Sequence, residues 1–394
     1  KKYNRHTQFS TIQLTEIIMA VEIRQVQDKS ELKRFVQFGN ELYKKNPYHV
    51  PVLIDDELGT LDKDRNPAFE FCEAAYFLAY RNGRIVGRIA GIINHRANET
   101  WNQNNARFGF VDFINDNEVV DALFHAVSEW ARSKGMDMLQ GPMGFTDMDK
   151  EGMLIEGFDQ IGTMATIYNY AYYPRHMERL GFIKDQDWKE FKIMIPDAIP
   201  EKHQRISNIV RQKYGLKTVK FKTRKEVEPY AHRIFDTLNK AYSVLYGFSE
   251  LSKAQIDYYV KQYIPMIHLD FVTLIVREED DQVVAFAITI PNLSKALQKA
   301  KGKMYPFGWF HLAKDLYLKG NPVVDLYLVG VIPEYQNKGV NALLFDDLIP
   351  VFQKAGIKYA ESNPELETNA AVQMQWNYFE RIHHKTRRAY IKEI

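Results

Sequence analysis

The chain is poor in cysteine and has no long apolar run. Among its 394 residues the single cysteine is Cys72, so no disulfide can form within the chain and no cysteine-based zinc site is available. No apolar stretch approaches the ~20 residues that a membrane-spanning helix needs. The apolar stretch at 17–21 is too short for the hydrophobic region of a signal peptide. We therefore expect a cytoplasmic protein with no membrane partner.

An excess of charge of either sign is also missing. Lys and Arg number 52 against 50 Asp and Glu, and the net charge of +2 gives no electrostatic argument for a nucleic-acid partner. The 11 histidines lack metal-binding spacing, and the adjacent rings of His383 and His384 point apart on a helix or strand. We predict no metal site. The basic run at 383–388 is typical of a solvent-exposed face.

Strand-like and helical patterns alternate along both halves of the chain. The first half has an alternating segment at Val21–Val26, a hairpin signal at Asn82-Gly83 and an amphipathic helical pattern over Glu118–Lys134. The second half repeats this order of elements. We predict an α/β fold with a mixed α+β sheet. Its predicted parts are an N-terminal extension at 1–20 and domains at 21–195 and 196–394.

A strand, a polar turn and a helix in the second half carry the clearest chemical signal. Val323–Ile332 is a long apolar run, a polar turn follows, and Gly339 begins a helical pattern. Backbone N–H groups converge in such a turn and the helix dipole adds positive potential, so the turn predicts a phosphate-binding site. Gly339 has no Cβ to obstruct an anion, and Lys338 adds a positive charge.

This stretch resembles the coenzyme A loop of the GNAT superfamily of N-acyltransferases, whose pattern is Gln/Arg-x-x-Gly-x-Gly/Ala. Gln336, Gly339 and Asn341 hold the three positions, and Asn341 departs from the pattern. The whole chain resembles the tandem-GNAT proteins of bacteria through a Gly-Pro…Glu-Gly-Phe-Asp…Tyr-Asn-x-x-Tyr-Tyr-Pro pattern at 141–174. The resemblance implies two GNAT-like domains. No glycine-rich loop follows Phe108–Phe113, so the first domain is predicted to be degenerate and each chain to have one coenzyme site.

The resemblance also implies individual site residues. Backbone groups of two strand residues would bond the pantetheine arm of acetyl-CoA or another acyl-CoA, and the turn would hold its pyrophosphate. The predicted coenzyme-binding residues are Val329, Val331, Gln336, Asn337, Lys338, Gly339, Val340, Asn341 and Asn369. Trp376 takes the place of the family's tyrosine, so the nearby Tyr378 is the candidate acid. Glu361 is the candidate base, with Asp325 and Tyr327 as alternatives.

A glycine-rich acidic segment at 141–159 has no counterpart in the second half. Its carboxylates predict recognition of a cationic amine, with Asp147, Asp149 and Glu156 as substrate-binding residues. A hard cation is a second interpretation, although the regular EF-hand spacing is missing. A structural loop ordered by Gly and Asx turns is the third.

Together these signals predict acetyl transfer from acetyl-CoA to an amine of a small molecule or peptide by direct attack, in a monomer or homodimer. Two alternatives stay open. The first is a non-catalytic acyl-CoA-binding scaffold, and the second is an aminoacyl-tRNA-dependent transferase of a related tandem fold. The segment at 291–322 has no strand pattern and predicts an inserted loop and helix over the site.

Overall fold

The computed structural model describes residues 20–264, 267–317 and 320–394. The predicted N-terminal extension at 1–20 lies outside the described residues except for Ala20. The elements of the first half are β1 (Glu22–Gln25), α1 (Lys29–Leu42), α2 (Ile54–Leu61), β2 (Cys72–Arg81), β3 (Arg84–Asn94), α3 (His95–Thr100), β4 (Asn105–Phe113), α4 (Asn117–Ser133), β5 (Met138–Gly141), β6 (Met153–Glu156), α5 (Tyr172–Arg179) and β7 (Ile183–Met194).

The second half repeats this alternation with longer helices. Its elements are α6 (Glu201–Tyr214), β8 (Leu216–Val219), α7 (Arg224–Tyr242), α8 (Lys253–Tyr263), β9 (Val272–Arg277), β10 (Val283–Pro291), α9 (Ser294–Ala300), α10 (Gly308–Tyr317), β11 (Val323–Val331), α11 (Asn341–Ala355), β12 (Tyr359–Ser362), β13 (Glu365–Leu366), α12 (Ala370–Gln375) and β14 (Arg381–Glu393). Among the described residues, no helix combines the length and apolar character needed to cross a membrane.

Local sequence signals account for several element boundaries. Asn82 and Gly83 turn the β2–β3 hairpin with φ angles of 52° and 72°, a backbone conformation that Asn and Gly adopt readily. Ser252 accepts a hydrogen bond from the Gln255 backbone and begins α8 with a reciprocal capping box. Asp28 caps α1 through its bond to Glu31. These short-range contacts need no tertiary partner.

The strands join one mixed sheet, which confirms the predicted α/β class. The strand order is β1-β2-β3-β4-β5-β14-β7-β12-β11-β10-β9-β8, with β6 paired to β14 and β13 paired to β7. The β4–β5 and β11–β12 pairs are parallel, and the other pairs are antiparallel. The helices α4 and α11 connect the two parallel pairs and pack their apolar faces on the sheet.

The two halves exchange their last strands. β7 ends the first half and pairs with β12 of the second, while β14 ends the chain and lies between β5 and β7. The domain boundary predicted at 195/196 falls in the connection between β7 and α6. Each half therefore supplies a central strand to the sheet of the other.

The burial of β14 corrects one prediction. The basic run at 383–388 was expected on a solvent-exposed face, but Lys385 and Arg387 are each 1% exposed. Lys385 Nζ lies 2.8 Å from a Glu190 carboxylate oxygen, and Arg387 Nε donates to the other oxygen. The expectation was wrong at these two residues because carboxylates of the facing strands neutralise their charges.

Candidate active site

The parallel strands β11 and β12 separate at the centre of the second half. They pair only from Val323–Tyr359 to Leu326–Ser362, after which β11 continues to Val331 paired with β10 but not with β12. A register shift against β10 at this point leaves Tyr327 as an extra residue in β11. The edge of β11 beyond Leu326 is therefore open on the β12 side.

Side chains meet the backbone acceptors along this open edge. The carbonyl of Val329 accepts from Tyr242 Oη at 3.0 Å, and the carbonyl of Val331 accepts from Gln336 Nε2 at 3.0 Å. Asn363 Nδ2 donates to the carbonyl of Tyr327. Val329 and Val331, the two predicted pantetheine-binding residues, thus have backbone carbonyls on the open edge. An extended ligand could bond to these carbonyls in place of Tyr242 and Gln336.

The predicted pyrophosphate turn follows this edge and ends at α11. Gly339 has a φ of +79°, and a Cβ on it would lie 3.0 Å from Ile206 Cγ2 of α6, so glycine is favoured on both counts. Asn337 also has a positive φ, 59°. Asn341, the departure from the family pattern, donates to Gln375 Oε1 at 2.9 Å and ties the turn to α12. The structure therefore gives this asparagine a bonding partner.

Two further residues predicted to bind coenzyme lie beside the turn. Asn369 Oδ1 accepts from the Val372 backbone at 3.3 Å at the start of α12. Lys338 Nζ lies 5.4 Å from the ring centroids of both Tyr214 and Tyr335, a cation–π arrangement on the outside of the turn. Asn369 lines the cavity described below, whereas Lys338 is absent from its lining.

The equivalent gap in the first half is filled by the chain itself. β4 and β5 pair only over Asn105–Arg107, and the segment after β5 then crosses the gap. The Met143 backbone N–H donates to the Phe108 carbonyl at 2.9 Å, and a Cβ on Gly109 would lie 2.1 Å from the Met143 carbonyl oxygen. No room remains there for a ligand arm, which supports the expectation of one coenzyme site.

A cavity of 1470 Å³ connects the open edge of β11 with the first half. Three groups of residues line it. The coenzyme side includes Val329, Val331, Gln336, Asn337, Gly339, Val340, Asn341 and Asn369. The polar side includes Glu57, Asp147, Asp149, Lys150 and Glu151. The apolar side includes Leu53, Met164, Tyr258, Tyr259, Tyr263, Leu293, Leu297, Met304, Leu312 and Leu316.

Arg107 fixes the acidic segment against the second half. Its guanidinium, on a residue that is 2% exposed, donates to the carbonyls of Gly144 and Phe145 at 3.1 and 3.2 Å. The same group donates to the Gly247 carbonyl at 3.1 Å, beyond α7. Loop residues from one half therefore form a wall of the site in the other.

Asp147 and Asp149 differ in their hydrogen bonding. Asp149 Oδ2 accepts from the backbones of Phe145 and Thr146 at 2.8 and 3.2 Å and so orders the loop. Asp147 Oδ1 is buried without a hydrogen-bond partner among the described residues. Burial raises the pKa of Asp147 to about 7 and that of Asp149 to about 6. The charged form of Asp147 is therefore disfavoured relative to an exposed aspartate.

Two charged neighbours that sequence reasoning did not select also line the cavity. Burial and the nearby Asp147 charge raise the pKa of Glu151 well above its ordinary value. Burial lowers the pKa of Lys150. Their position directly after Asp149 in the acidic segment was the available signal, but only the tertiary structure shows which way each side chain points.

Two of the other predicted residues lie away from the cavity lining. Glu156 is exposed and accepts from Thr386 Oγ1. Glu361 is buried, with Lys385 Nζ at 2.6 Å and His384 Nε2 at 2.9 Å. Burial raises its pKa, but the contact with His384 and the Lys385 charge outweigh burial and lower it overall. Its carboxylate is thus engaged in a structural cluster.

The same cluster brings together three groups of metal-ligand type. Ligand atoms of Glu190, Glu361 and His384 lie within 4.8 Å of one another. Lys385 contacts both carboxylates, and Arg387 contacts Glu190. Lys385 and Arg387 therefore supply positive charge to this pair of carboxylates.

Tyr378 and Trp376 lie at the rim of the cavity near α12. Tyr378 is 45% exposed, and its ring packs edge-on against His203 with centroids 4.8 Å apart. Trp376 is buried, and its Nε1 donates to Glu365 Oε1 at 2.7 Å. Burial raises the pKa of Glu365 to about 8. Neither aromatic side chain contacts the open edge of β11 in the way that Tyr242 does.

The chain is similar to known proteins over almost its whole length. No family model matches it. It is 27% identical over 380 residues to Protein YghO of Escherichia coli K12, which covers 94% of this chain and 95% of that protein. It is also 27% identical over 377 residues to the bacterial ceramide synthase of Caulobacter vibrioides, covering 94% and 96% of the two chains.

Solved structures share the architecture at low sequence identity. A tandem GNAT protein from the clavulanic acid biosynthesis pathway aligns with a TM-score of 0.53 and 12% identity, covering 95% of this chain and 98% of that one. A GCN5-related glucosamine N-acetyltransferase region of a fungal β-N-acetylglucosaminidase aligns with a TM-score of 0.54 and 12% identity, covering 95% and 38%. Identity at this level supports the fold alone. The chain is a tandem GNAT-fold protein, as its sequence resemblance implied.

Proposed function

We propose that this protein is an acyl-CoA-dependent N-acyltransferase that joins a long acyl chain to a long-chain amine. One observation carries the proposal: a single cavity connects the open edge of β11, a set of buried carboxylates and an extended apolar wall. The relative named bacterial ceramide synthase supports it, because a ceramide is the amide of a long-chain amino alcohol. The sequence alone predicts acetyl-CoA as the donor, and we propose in its place an acyl-CoA that has a longer acyl chain.

The donor side of the cavity suits the coenzyme part of an acyl-CoA. The edge at Val329 and Val331 would hold the pantetheine arm through backbone bonds, and the turn at 336–341 would hold the pyrophosphate. Gly339 has no side chain to obstruct an anion at its position in the turn. The N-terminus of α11 adds positive potential there. These residues fit an anionic coenzyme without a contribution from Lys338, which packs on aromatic rings instead.

The size and the apolar wall of the cavity favour long chains. Its volume of 1470 Å³ exceeds the range of about 300–1,000 Å³ that is usual for small-molecule sites. Tyrosine and leucine side chains of α8, α9 and α10, together with Met164 and Met304 from the connecting segments, form the apolar part of the lining. Burying methylene groups there contributes about 0.8 kcal/mol for each CH₂. An acetyl group is too short to contact these apolar side chains, so it gains none of this burial energy.

The reaction requires a neutral amine and a protonated leaving group. The amine nitrogen attacks the thioester carbonyl carbon, the C–S bond breaks, and the thiolate takes up a proton to leave as a thiol. We assign the base to Asp147, whose unpartnered oxygen and pKa of about 7 suit both attraction of an ammonium group and acceptance of its proton.

Tyr242 is the better-placed proton donor for the leaving thiolate. Its hydroxyl donates to the Val329 carbonyl on the open edge, and burial raises its pKa to about 12, so it stays protonated. Tyr378, the sequence-based candidate, lies at the exposed rim. We therefore assign the proton donor to Tyr242 of α7 and not to Tyr378.

An acyl-chain series assayed with the purified full chain tests the proposal. The protein is incubated with acetyl-, octanoyl- or palmitoyl-CoA and a long-chain amino alcohol, and free thiol and amide product are measured by colorimetry and mass spectrometry. We expect kcat/KM to rise with chain length and to be highest for palmitoyl-CoA. A preference for acetyl-CoA would reject the long-chain assignment. Binding of acyl-CoA with no amide from any amine would favour the non-catalytic scaffold.

A further inference from the structure

Large apolar side chains are exposed on a small insert between β10 and β11. They belong to α10 and the turn before it, and their exposed fractions lie between 48% and 79%. These residues are Tyr305, Phe307, Trp309, Phe310 and Tyr317. Clusters of exposed aromatic groups mark interaction sites. We call residues 294–317, which contain α9 and α10, the aromatic lobe.

Positive charge surrounds the aromatic groups of this lobe. It contains five lysines, all exposed, and one carboxylate, Asp315. The lysines are Lys295, Lys299, Lys301, Lys303 and Lys314. The chain as a whole is nearly neutral, so this excess of four positive charges is local. Aromatic side chains among lysines are the composition of a segment that lies in the interface of an anionic membrane.

The aromatic lobe also forms the mouth of the cavity. α10 lines the cavity with residues spaced by three and four positions, namely Trp309, Leu312, Ala313, Leu316 and Tyr317. Phe310 and Lys314, on its other side, are exposed and do not line the cavity. One helix thus joins an exposed aromatic surface to the apolar wall that receives long chains in the proposed function.

We propose that the aromatic lobe docks on the surface of an anionic phospholipid bilayer. The aromatic tip at 305–310 enters the headgroup region and the lysines contact lipid phosphates, which places the cavity mouth at the depth of lipid chains. A second copy of this chain is a poorer partner, because two such lobes would bring like charges together. Docking in this way would let a long-chain amine move from the bilayer into the cavity. That step rests on the proposed function, but the docking itself does not.

Vesicle co-sedimentation of the full chain tests the docking. Large unilamellar vesicles of phosphatidylcholine are compared with vesicles in which part of the lipid is phosphatidylglycerol. We expect affinity for the anionic vesicles to be at least about tenfold higher than for the neutral ones. Phe307→Ser with Phe310→Ser, and separately Lys301→Glu with Lys303→Glu, are each expected to weaken anionic binding about tenfold.

Matched controls separate docking from charge attraction and from the reaction. Ile183→Ser with Ile382→Ser removes two side chains that are 66% and 51% exposed elsewhere on the sheet, and binding should not change. Each variant is also assayed with acyl-CoA and a detergent-dispersed amine, where wild-type rates are expected because none of these residues lines the cavity. Vesicle binding without amide formation by the wild type would reject the proposed function and support docking.

Two results would overturn the docking proposal. The first is equal sedimentation of the wild type and the Phe307→Ser, Phe310→Ser variant with anionic vesicles. The second is a dimer in light scattering that only the aromatic substitutions dissociate, which would assign the lobe to contact between two copies of the chain.

Discussion

Asp147 illustrates how position alone gives a common side chain an unusual property. Its loop is ordered by Asp149 and anchored by Arg107, and within the described part of the chain one oxygen of the Asp147 carboxylate in the cavity wall has no hydrogen-bond partner. Desolvation of the charged form then raises its pKa to about 7. A carboxylate with this pKa exchanges protons near neutral pH, which suits a base for an amine.

Replacement of the proposed base should change the pH profile. Because Asp147 must be ionised to accept a proton, wild-type kcat/KM is expected to rise with pH through about 7. Asp147→Asn should lower kcat by about 10²–10⁴-fold and remove this limb of the profile. Initial rates from pH 5.5 to 9, at a fixed ionic strength, provide the measurement. Asp149→Asn cannot serve as a control, because Asp149 orders the loop. If kcat/KM of Asp147→Asn still rises with pH through about 7, Asp147 is not the base.

The two tyrosine candidates for the acid can be separated by matched substitutions. Tyr242→Phe removes the hydroxyl that reaches the Val329 carbonyl and should lower kcat about tenfold or more. Tyr378→Phe, at the exposed rim, should change kcat less than twofold. Steady-state kinetics of both variants with the same donor provide the comparison, and the reverse order of effects would return the acid to Tyr378.

At the scale of the elements, helix α10 has two opposed roles. Leu312 and Leu316 are buried and line the cavity, whereas Phe310 is exposed and does not line it. Trp309 and Tyr317 line the cavity and are also about half exposed. The sequence predicts a loop and helix over the site at 291–322, and the structure places α9 and α10 there. The direction of each α10 face follows from packing against Val50, Leu53 and Met164 of the first half, which no local pattern encodes.

Filling the apolar wall should shorten the preferred substrate. Leu312 is 7% exposed and lines the cavity, so Leu312→Trp adds bulk where a long chain would lie. We expect kcat/KM for palmitoyl-CoA with a long-chain amine to fall at least about tenfold, while acetyl-CoA with a short amine is unaffected. Phe310→Trp, on the outer face of the same helix, is the matched control. Equal losses for long and short substrates would point to misfolding of α10.

At the scale of the whole molecule, exchange of β7 and β14 makes the two halves interdependent. The strands run side by side at the centre of the sheet, and Glu190 on one faces Lys385 and Arg387 on the other. Burial raises the pKa of Glu190, but the two cations outweigh burial and lower it to about 2. The pair of strands and the loop anchored by Arg107 hold the cavity walls of both halves together.

Loss of the Glu190 charge should destabilise the whole protein. Glu190→Gln removes the carboxylate that Lys385 and Arg387 share. Arg387 then loses its ion-pair partner and Lys385 keeps only Glu361, so the free energy of unfolding in urea is expected to fall by about 3–5 kcal/mol. Asp280→Asn, in a solvent-exposed pair with Arg277, should change the free energy of unfolding much less, because solvent screens exposed ion pairs. A loss for Glu190→Gln no larger than that of the control would contradict this role.

The pH dependence of stability has a defined sign for the same residue. Its folded pKa of about 2 lies below the ordinary value of 4.5, so its contribution is complete above pH 4.5. That contribution is lost as the pH falls from 4.5 towards 2, and unfolding midpoints should decrease across this window. In Glu190→Gln this part of the pH dependence should be absent.

Short-range features of this protein were determined by the sequence itself. The hairpin at Asn82-Gly83, the capped start of α8 at Ser252, and the strand, turn and helix around Gly339 each depend on neighbouring residues, and the structure contains all three. The sequence also lacks a glycine-rich turn after β4, and in the structure the backbone of Met143 bonds to Phe108 across the gap there.

Only the tertiary structure decided what depends on contacts between distant segments. Lys385 and Arg387 of the basic run are buried because Glu190, almost 200 residues earlier in the chain, supplies a carboxylate to both. Glu361 lies on β12 beside the coenzyme gap but is paired with Lys385 of β14. Asp147 lines the cavity because Arg107 holds its loop against the second half. Burial and counter-charge set the properties of a carboxylate, and both are supplied by residues that sequence spacing cannot bring together.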